Sequence, residues 1–352
     1  MGSKPRGISA SRGAAVLGLS EYQTPFSVWQ QIMEERESGF NEKRGYTIPE
    51  PPDNAAIRWG LAFEDAVVEL AQKVQGMKIL ERELFYSIDG YNQISQQRKG
   101  YVAEDYITCH IDGFYDHGKN DEPVSLHEGK TTSAFTFREK WGEPGTDHIP
   151  RVYQVQAQHQ MLCTGAQEVI VSVLVFPETP DKWEKDGMYI VQQKNGEWDV
   201  GKHGRGIFTS EIADYLHFFG HFHQYPVKAN QETQQLMVEA YREFWERHVL
   251  TGTPPELRNY EDIKRLCPEP KSTIIVPDLI ERKIAEYKGI TEETARAKNR
   301  KERLKTIITK YAATHTGIED DESKEAVIFR NSSGDKLGSW SRIKNGSLVF
   351  RL

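Results

Sequence analysis

The chain has 352 residues, of which 45 are basic and 52 acidic, for a formal net charge of −7. That length holds one large domain, or a domain of roughly 200 to 250 residues with an appendage. The mild acidity excludes a wholly basic coat as the means of binding nucleic acid, while a local basic groove stays compatible with it. Cys109, Cys163 and Cys267 form no CxxC pair, which argues against a zinc ribbon, a four-cysteine iron–sulfur cluster or a disulfide framework. No apolar run approaches about 18 residues and the N-terminus lacks the core of a signal peptide. The expectation is a soluble protein of a reducing, cytoplasmic compartment.

In residues 7–33, GISASRGAAVLGLSEYQTPFSVWQQIM, Ser9 or Ser11 can cap a short helix carrying Ala14, Ala15, Val16 and Leu17, which Gly18 ends. A second amphipathic helix follows from Pro25, with Phe26, Trp29, Ile32 and Met33 at helical spacing. Ser9, Ser11 and Arg12 at a helix N-terminus make either a phosphate pocket or a plain cap on a helical hairpin. Residues 37–56, with Gly39, Gly45 and a proline run, read as a loop. One helix is then expected from Asn54 to Gly76, with Ala62, Phe63, Ala66, Val67, Leu70 and Val74 as its apolar stripe. Glu64 borders that stripe and can point into a site. Asp65 and Glu69 are alternatives, and a lone carboxylate on such a helix is by default a solvated charge.

Strands are predicted at 83–88, 94–97 and 106–111. The stretch 111–130, IDGFYDHGKNDEPVSLHEGK, then reads as a hairpin around Gly118, Asn120, Asp121 and Pro123. It sets Asp112 at the start of one strand and Glu128 on the next, 124–128, with Lys130 on the same face as Glu128. His110 shares the face of Asp112, and Asp116 competes with it. Two carboxylates that share a divalent cation, beside an ammonium, suit phosphodiester hydrolysis. In isolation D…ExK arises often by chance.

Residues 131–149 are polar and glycine-bearing, with Phe135, Phe137 and Trp141. Pro150 opens a helix, RVYQVQAQHQMLCTG, with glutamines at 154, 156, 158 and 160. A buried amide must be hydrogen-bonded, so these glutamines either serve a site or coat a polar surface helix. The apolar run 168–176 reads as a buried central strand, 188–192 as an edge strand, and 207–222 and 231–250 as helices. From Thr251 to Pro277 the composition is that of a linker. A long charged helix follows over 278–311, and its part Arg296–Lys310 holds seven basic residues against one acid. It is either a phosphate-touching element or an exposed helix or coiled-coil arm. Strands are expected around 326–330 and 347–352.

Taken in order, GISASRGAAVLGLSEYQTPFSVW, RWGLAFEDAV, IDGFYD, HEGK and IPRVYQVQAQHQMLCTG resemble the YqaJ-type viral recombinases, relatives of the phage lambda exonuclease in the PD-(D/E)xK nuclease superfamily. The resemblance spans roughly residues 6–250. It implies an α/β fold with a restriction-endonuclease-like PD-(D/E)xK core, a central mixed sheet flanked by helices. It also implies a nuclease domain over 1–252 and, over 253–352, an appendage of linker, helix and short hairpin. Asp112, Glu128 and Glu64 match the acidic ligands of Mg²⁺, for which Mn²⁺ can substitute, with the carbonyl of Gly129 beside them. Lys130 matches the catalytic lysine and Gln156 the glutamine beside it. Tyr153 and Gln158 complete that YxxQxQ segment, and Ser9 and Ser11 with Arg6 or Arg12 match the holders of a DNA 5′ phosphate. The implied activity is 5′→3′ resection of linear duplex ends for recombination in a bacterial or phage-infected cell, without a membrane. Trimeric ring assembly and a single-strand annealing protein as partner come with the resemblance. An endonuclease, a structure-specific nuclease or an inactive DNA-binding scaffold are the competing readings. Two positions depart from the family: Ile111 stands where the superfamily name has proline, and Gly129 where an aliphatic residue is usual.

Overall fold

The computed structural model describes residues 7–47, 54–80, 84–87, 106–116, 125–193, 196, 198–202, 205–266, 275–316, 326–342 and 348–351. The chain divides into two compact units, Met1–Pro270 and Lys271–Leu352. Helices α1 (Ala10–Val16), α2 (Pro25–Arg36), α3 (Phe40–Lys43), α4 (Ala55–Ala62) and α5 (Glu64–Gln75) open the first unit. Its strands are β1 (Ile8–Ser9), β2 (Ile79–Leu80), β3 (Leu84–Ser87), β4 (Ile107–Ile111), β5 (Gly113–Tyr115), β6 (Ser125–Ser133), β7 (Glu168–Phe176), β8 (Met188–Gln192), β9 (Trp198–Lys202), β10 (Arg205–Phe208) and β11 (Phe222–Lys228).

The run EVIVSVLVF of β7 is buried at every residue after Glu168, because helices cover both faces of its sheet. Alternation splits it between two cores. Val169, Val171, Val173 and Val175 join the core that holds α1 and α2, whereas Ile170, Leu174 and Phe176 join the one that holds α4 and α5. The central sheet has the order β11-β7-β6-β5-β2. β6 and β7 run parallel from Ser125↔Glu168 to Ser133↔Phe176, and the other neighbours are antiparallel. A second sheet has the order β1-β4-β3, and a single residue carries the chain from its strand β4 into β5 of the first. Asp112 lies between β4, in that sheet, and β5, in the central one. β8, β9 and β10 form a third, antiparallel sheet. The architecture is α/β with a central mixed sheet flanked by helices, as expected. Among the described residues no helix is long and apolar enough to cross a membrane.

Several elements differ from expectation. The single helix over 54–76 is broken at Phe63, whose φ of −99° and ψ of 0° leave the α region. Phe63 is fully buried, stacked on Trp59 at 6.2 Å and edge-on to Phe176 at 5.1 Å; that packing sets the break, and Glu64 becomes the first residue of α5. Val74 is exposed and Ala71 buried in its place. The loop at 37–56 contains α3, because the Glu34 carboxylate accepts from the backbone N–H groups of Gly39 and Asn41 at 2.6 and 3.0 Å. β6 continues past Lys130 to Ser133, whose hydroxyl caps a helix at Ala134–Lys140. The helix expected over 207–222 occupies only Thr209–Phe218, and β11 follows as an edge strand that tolerates Pro226. The helix at 231–250 is α-helical over Gln231–Phe244 and π-helical over Trp245–Val249. In the expected linker, Tyr260–Leu266 is a short helix whose buried Asp262 accepts from Thr24 Oγ1 at 2.6 Å and Arg258 N at 3.0 Å. The strand expected at 94–97 and the turn at 118–123 lie outside the described residues.

The second unit holds the helix Asp278–Thr316, 39 residues long and unbroken at Gly289. Strands β12 (Ala326–Arg330), β13 (Lys336–Arg342) and β14 (Leu348–Arg351) form an antiparallel sheet in that order. The middle strand was not expected. Ala312 packs with Trp340, Val327 and Phe329.

Candidate active site

The first half of β6 is buried and the second half opens to partial exposure. Glu128 and Lys130 stand where that change occurs, two residues apart and so on one face. Lys130 Nζ forms an ion pair with Glu128 Oε1. The β5–β6 register, Gly113↔His127, brings the sheet-switching residue Asp112 alongside, and its Oδ2 accepts from the N–H of Gly129 at 2.9 Å.

The helix Arg151–Thr164 supplies the third side of the site. Gln156 Nε2 donates to Glu128 Oε1 at 2.6 Å, and Gln160 Nε2 donates to Glu128 Oε2 at 2.5 Å and to the carbonyl of His110 at 3.3 Å. These glutamines lie one turn apart on one face, so each grips one oxygen of the same carboxylate. Buried His159 anchors the helix, with Nε2 2.9 Å from the Thr108 carbonyl on β4 and Nδ1 3.3 Å from the Tyr241 hydroxyl. Gln158 faces elsewhere: it donates to the Lys228 carbonyl at 2.7 Å and accepts from Asn230 N and Gln234 Nε2 at 2.9 and 3.1 Å. Its role is to tie this helix to β11 and the helix after it. Sequence reading counted Gln160 among the four glutamines but gave it no role of its own, although its spacing of four from Gln156 was the available signal.

Glu64, Asp112, Glu128, Gly129, Lys130 and Tyr153 line one cavity of about 400 Å³. Lys130 Nζ lies 5.2 Å from the centroid of the Tyr153 ring, in cation–π range. Burial, and then the nearby charge of Asp112, raise the pKa of Glu128 against the pull of Lys130. Burial alone would lower Lys130, but Glu128 and Asp112 outweigh it and hold the ammonium above its ordinary value. Both shifts keep protons in the cluster, as expected where two carboxylates crowd without enough positive charge. The donors are hard oxygens, which suits a small divalent cation rather than a soft metal. Among the described residues no three His, Cys, Asp or Glu side chains are gathered closely enough to form a finished metal cage.

Gly129 faces α5 with little room to spare. A Cβ there would lie 3.2 Å from Val67 Cγ1 on α5 and 3.7 Å from Asp112 Oδ2. The missing side chain lets α5, which carries Glu64, close against β6.

The N-terminal candidates are placed differently. Arg6 lies outside the described residues. Ser9 is the N-cap residue of α1 but its side chain makes no capping bond; its hydroxyl lies 3.1 Å from that of Ser11. The Arg12 guanidinium is held by the Glu35 carboxylate, with Nη1–Oε2 at 2.9 Å, and also donates to the Gly7 carbonyl at 3.1 Å. That fork ties α1 to α2. His110, Asp116, Asp65 and Glu69 are exposed.

Residues 2–167 match the family described as YqaJ-like viral recombinase domain. The uncharacterized protein YqaJ of Bacillus subtilis (strain 168) is 25% identical over 162 residues, which are 46% of this chain and only 40% of that protein. An alkaline exonuclease from Laribacter hongkongensis aligns with a TM-score of 0.41 at 13% identity, over 70% of this chain and 89% of its own. A phage related exonuclease from Haemophilus somnus 129PT aligns with a TM-score of 0.37 at 10% identity, over 71% and 97%. The β1-β4-β3 sheet, the acidic pair and the whole glutamine helix fall within the segment that is similar to that family, whereas β7 and β11 of the central sheet lie beyond it.

Proposed function

We propose that this chain is a metal-dependent deoxyribonuclease that digests linear double-stranded DNA from its ends, 5′→3′, leaving 3′ single-stranded tails for recombination. The observation that carries the proposal is one carboxylate, Glu128, gripped by Gln156, Gln160 and Lys130 in a cavity that Asp112 and Glu64 also line. A recombinase domain supplies the DNA context.

Asp112, Glu128, Glu64 and the carbonyl of Gly129 would hold Mg²⁺ or Mn²⁺. When bound, the ion supplies positive charge for the scissile phosphate and acidifies the attacking water. Gln156 and Gln160 hold the Glu128 carboxylate in one orientation, so no reorganisation is needed during reaction. Lys130 presents N–H donors to the attacking water and to a phosphate oxygen, and the Tyr153 ring limits where its ammonium can move. The hydroxyls of Ser9 and Ser11 are the groups offered to a 5′ phosphate, with Arg6 as the companion cation; Arg12 supports them by holding α1 in place. A trimeric ring around DNA and an annealing partner for the exposed strand belong to the same reading.

Linear duplexes labelled at the 5′ or the 3′ end, with and without a 5′ phosphate, test it. Release of 5′ nucleotides in Mg²⁺, faster with the phosphate and absent in EDTA, is the expected result. Digestion of closed circular duplex would replace it with an endonuclease, and binding without hydrolysis in Mg²⁺ or Mn²⁺ with a scaffold.

The glycine between ligand and lysine gives a second test. Gly129→Val should drive Val67 and α5 outward and lower the rate by about 10²-fold, as a displacement of about 1 Å at a site does. Adding Val67→Ala should restore most of the rate. A double variant as slow as the single one would show that Gly129 serves some other purpose.

A further inference from the structure

The helix Asp278–Thr316 is about 58 Å long at the ordinary helical rise, and its apolar positions form an unusual line. Ile280, Tyr287, Ile290, Ala297, Leu304, Ile308 and Tyr311 fall on alternating steps of three and four residues, interrupted only by Lys283, Thr294 and Lys301. That is a heptad seam. All seven except Ile308 are exposed. A long helix gains little from its own hydrogen bonds and normally depends on burying its apolar stripe.

We infer that this helix is a self-association arm that pairs with the same helix of a second copy, antiparallel. The charge pattern selects both the occupant and the direction. Residues 278–293 carry five acids and three bases, and residues 296–310 carry seven bases and one acid. Only an antiparallel pair lays each acidic half along a basic half. One pair of positions flanking the seam agrees. With Tyr287, Thr294 and Lys301 at one core position of the heptad and Ile290, Ala297 and Leu304 at the other, Glu293 and Arg300 take the same flanking position. In an antiparallel pair that position meets itself, so Glu293 faces Arg300 of the partner subunit, twice by symmetry. The core layers then match Tyr287 with Leu304 of the partner subunit, Ile280 with Tyr311 of the partner subunit and Thr294 with Ala297 of the partner subunit, while Ile290 meets Lys301 of the partner subunit and Lys283 meets Ile308 of the partner subunit, where the lysine stems cover the isoleucines and their ammonium groups reach water. In a parallel pair Glu293 would meet Lys298 of the partner subunit, but Arg300 would meet Lys305 of the partner subunit, so one contact attracts and one repels. At its far end Ala312 packs against Trp340 of the same unit, whereas Ile280, Tyr287, Ile290 and Leu304 stay exposed.

Sedimentation velocity of the full chain at low salt, over a concentration series, tests the arm, with circular dichroism to verify that helix content is kept. The wild type should self-associate. Glu293→Arg and Arg300→Glu should each weaken that association by about tenfold, from losing two flanking pairs and creating two repulsive ones, and the double variant should recover it. The seam variant Ile290→Asp with Leu304→Asp should remove this pairing and leave no species larger than the trimeric ring proposed above. Tighter association of Arg300→Glu would overturn the antiparallel arrangement in favour of a parallel one. A seam variant with unchanged assembly, or a wild type that stays monomeric throughout, would overturn the arm altogether. Loss of affinity for a fluorescent duplex in Arg300→Glu without change of assembly would do the same and make the basic half a phosphate-binding surface.

Discussion

Lys130→Met should lower hydrolysis of linear duplex DNA by about 10³-fold, the scale of losing a preorganised charge donor at a reacting phosphate. Methionine keeps the stem of the side chain and removes only its charge. The Glu128 carboxylate stays where it is, because Gln156 and Gln160 still hold its two oxygens. Stability should fall by less than about 3 kcal/mol, below the usual cost of stranding half of a buried ion pair. The reason is that Glu128 can take up a proton: burial and Asp112 already raise its pKa. Asp112→Asn should cost a similar factor in rate, since it keeps an oxygen for the Gly129 N–H and loses the negative charge. Initial rates on an end-labelled duplex, with urea unfolding beside them, decide the matter. Rates within tenfold of wild type for either variant would remove that residue from the chemistry.

Trp59→Ala should destabilise the first unit by about 3–5 kcal/mol, the cost of deleting a large buried aromatic. Trp59 is fully buried, lies 4.8 Å from the Trp183 ring and stacks with Phe63, and its Nε1 donates to Glu184 Oε1 at 3.1 Å. Arg58 holds both oxygens of the same carboxylate at 2.8 and 2.7 Å, so Glu184 keeps a partner and the loss is chiefly one of packing. Trp59→Phe should cost clearly less, since it retains a ring against Phe63 and Trp183. Because the α4–α5 break at Phe63 rests on this cluster, the alanine variant should also lose activity well below its unfolding midpoint. Urea unfolding with a loss under about 1 kcal/mol would show that the cluster yields without strain.

Much of the scaffold was legible because it is encoded over short range. The run from Glu168 to Phe176 was read as a buried central strand, and it is β7. The strand at 107–111 and the opening of the glutamine helix after Pro150 also stand close to where period and punctuation put them. The failures share one cause. Phe63 sits in a helix-forming stretch and breaks the helix because distant Phe176 and its own neighbour Trp59 hold its ring. α3 forms because Glu34, several residues earlier, caps it. β11 was not expected, because its pairing partner, β7, lies about fifty residues away, beyond the window in which propensity is read. Arg12 was a plausible phosphate ligand from its helix end, yet Glu35, twenty-three residues on, takes its fork.

Residue types and their order determined by themselves the resemblance, the hard-oxygen donor set and the lysine one strand pitch from Glu128. They pointed to Gln156 and Gln158 and could not determine that Gln156 and Gln160 are the pair that reaches Glu128. Gln156 and Gln160 grip Glu128 while Gln158 ties down β11, a choice made by the rotation of one helix against the sheet, and His159 fixes that rotation through the Thr108 carbonyl on β4. Nor could they show that Asp112 marks the point where the chain leaves one sheet for another, or that Gly129 is small so that Val67 can approach. A helical or strand period repeats every few residues and is written locally. The face that a helix turns to a strand depends on contacts between residues far apart in the chain, and only the packed structure decides those.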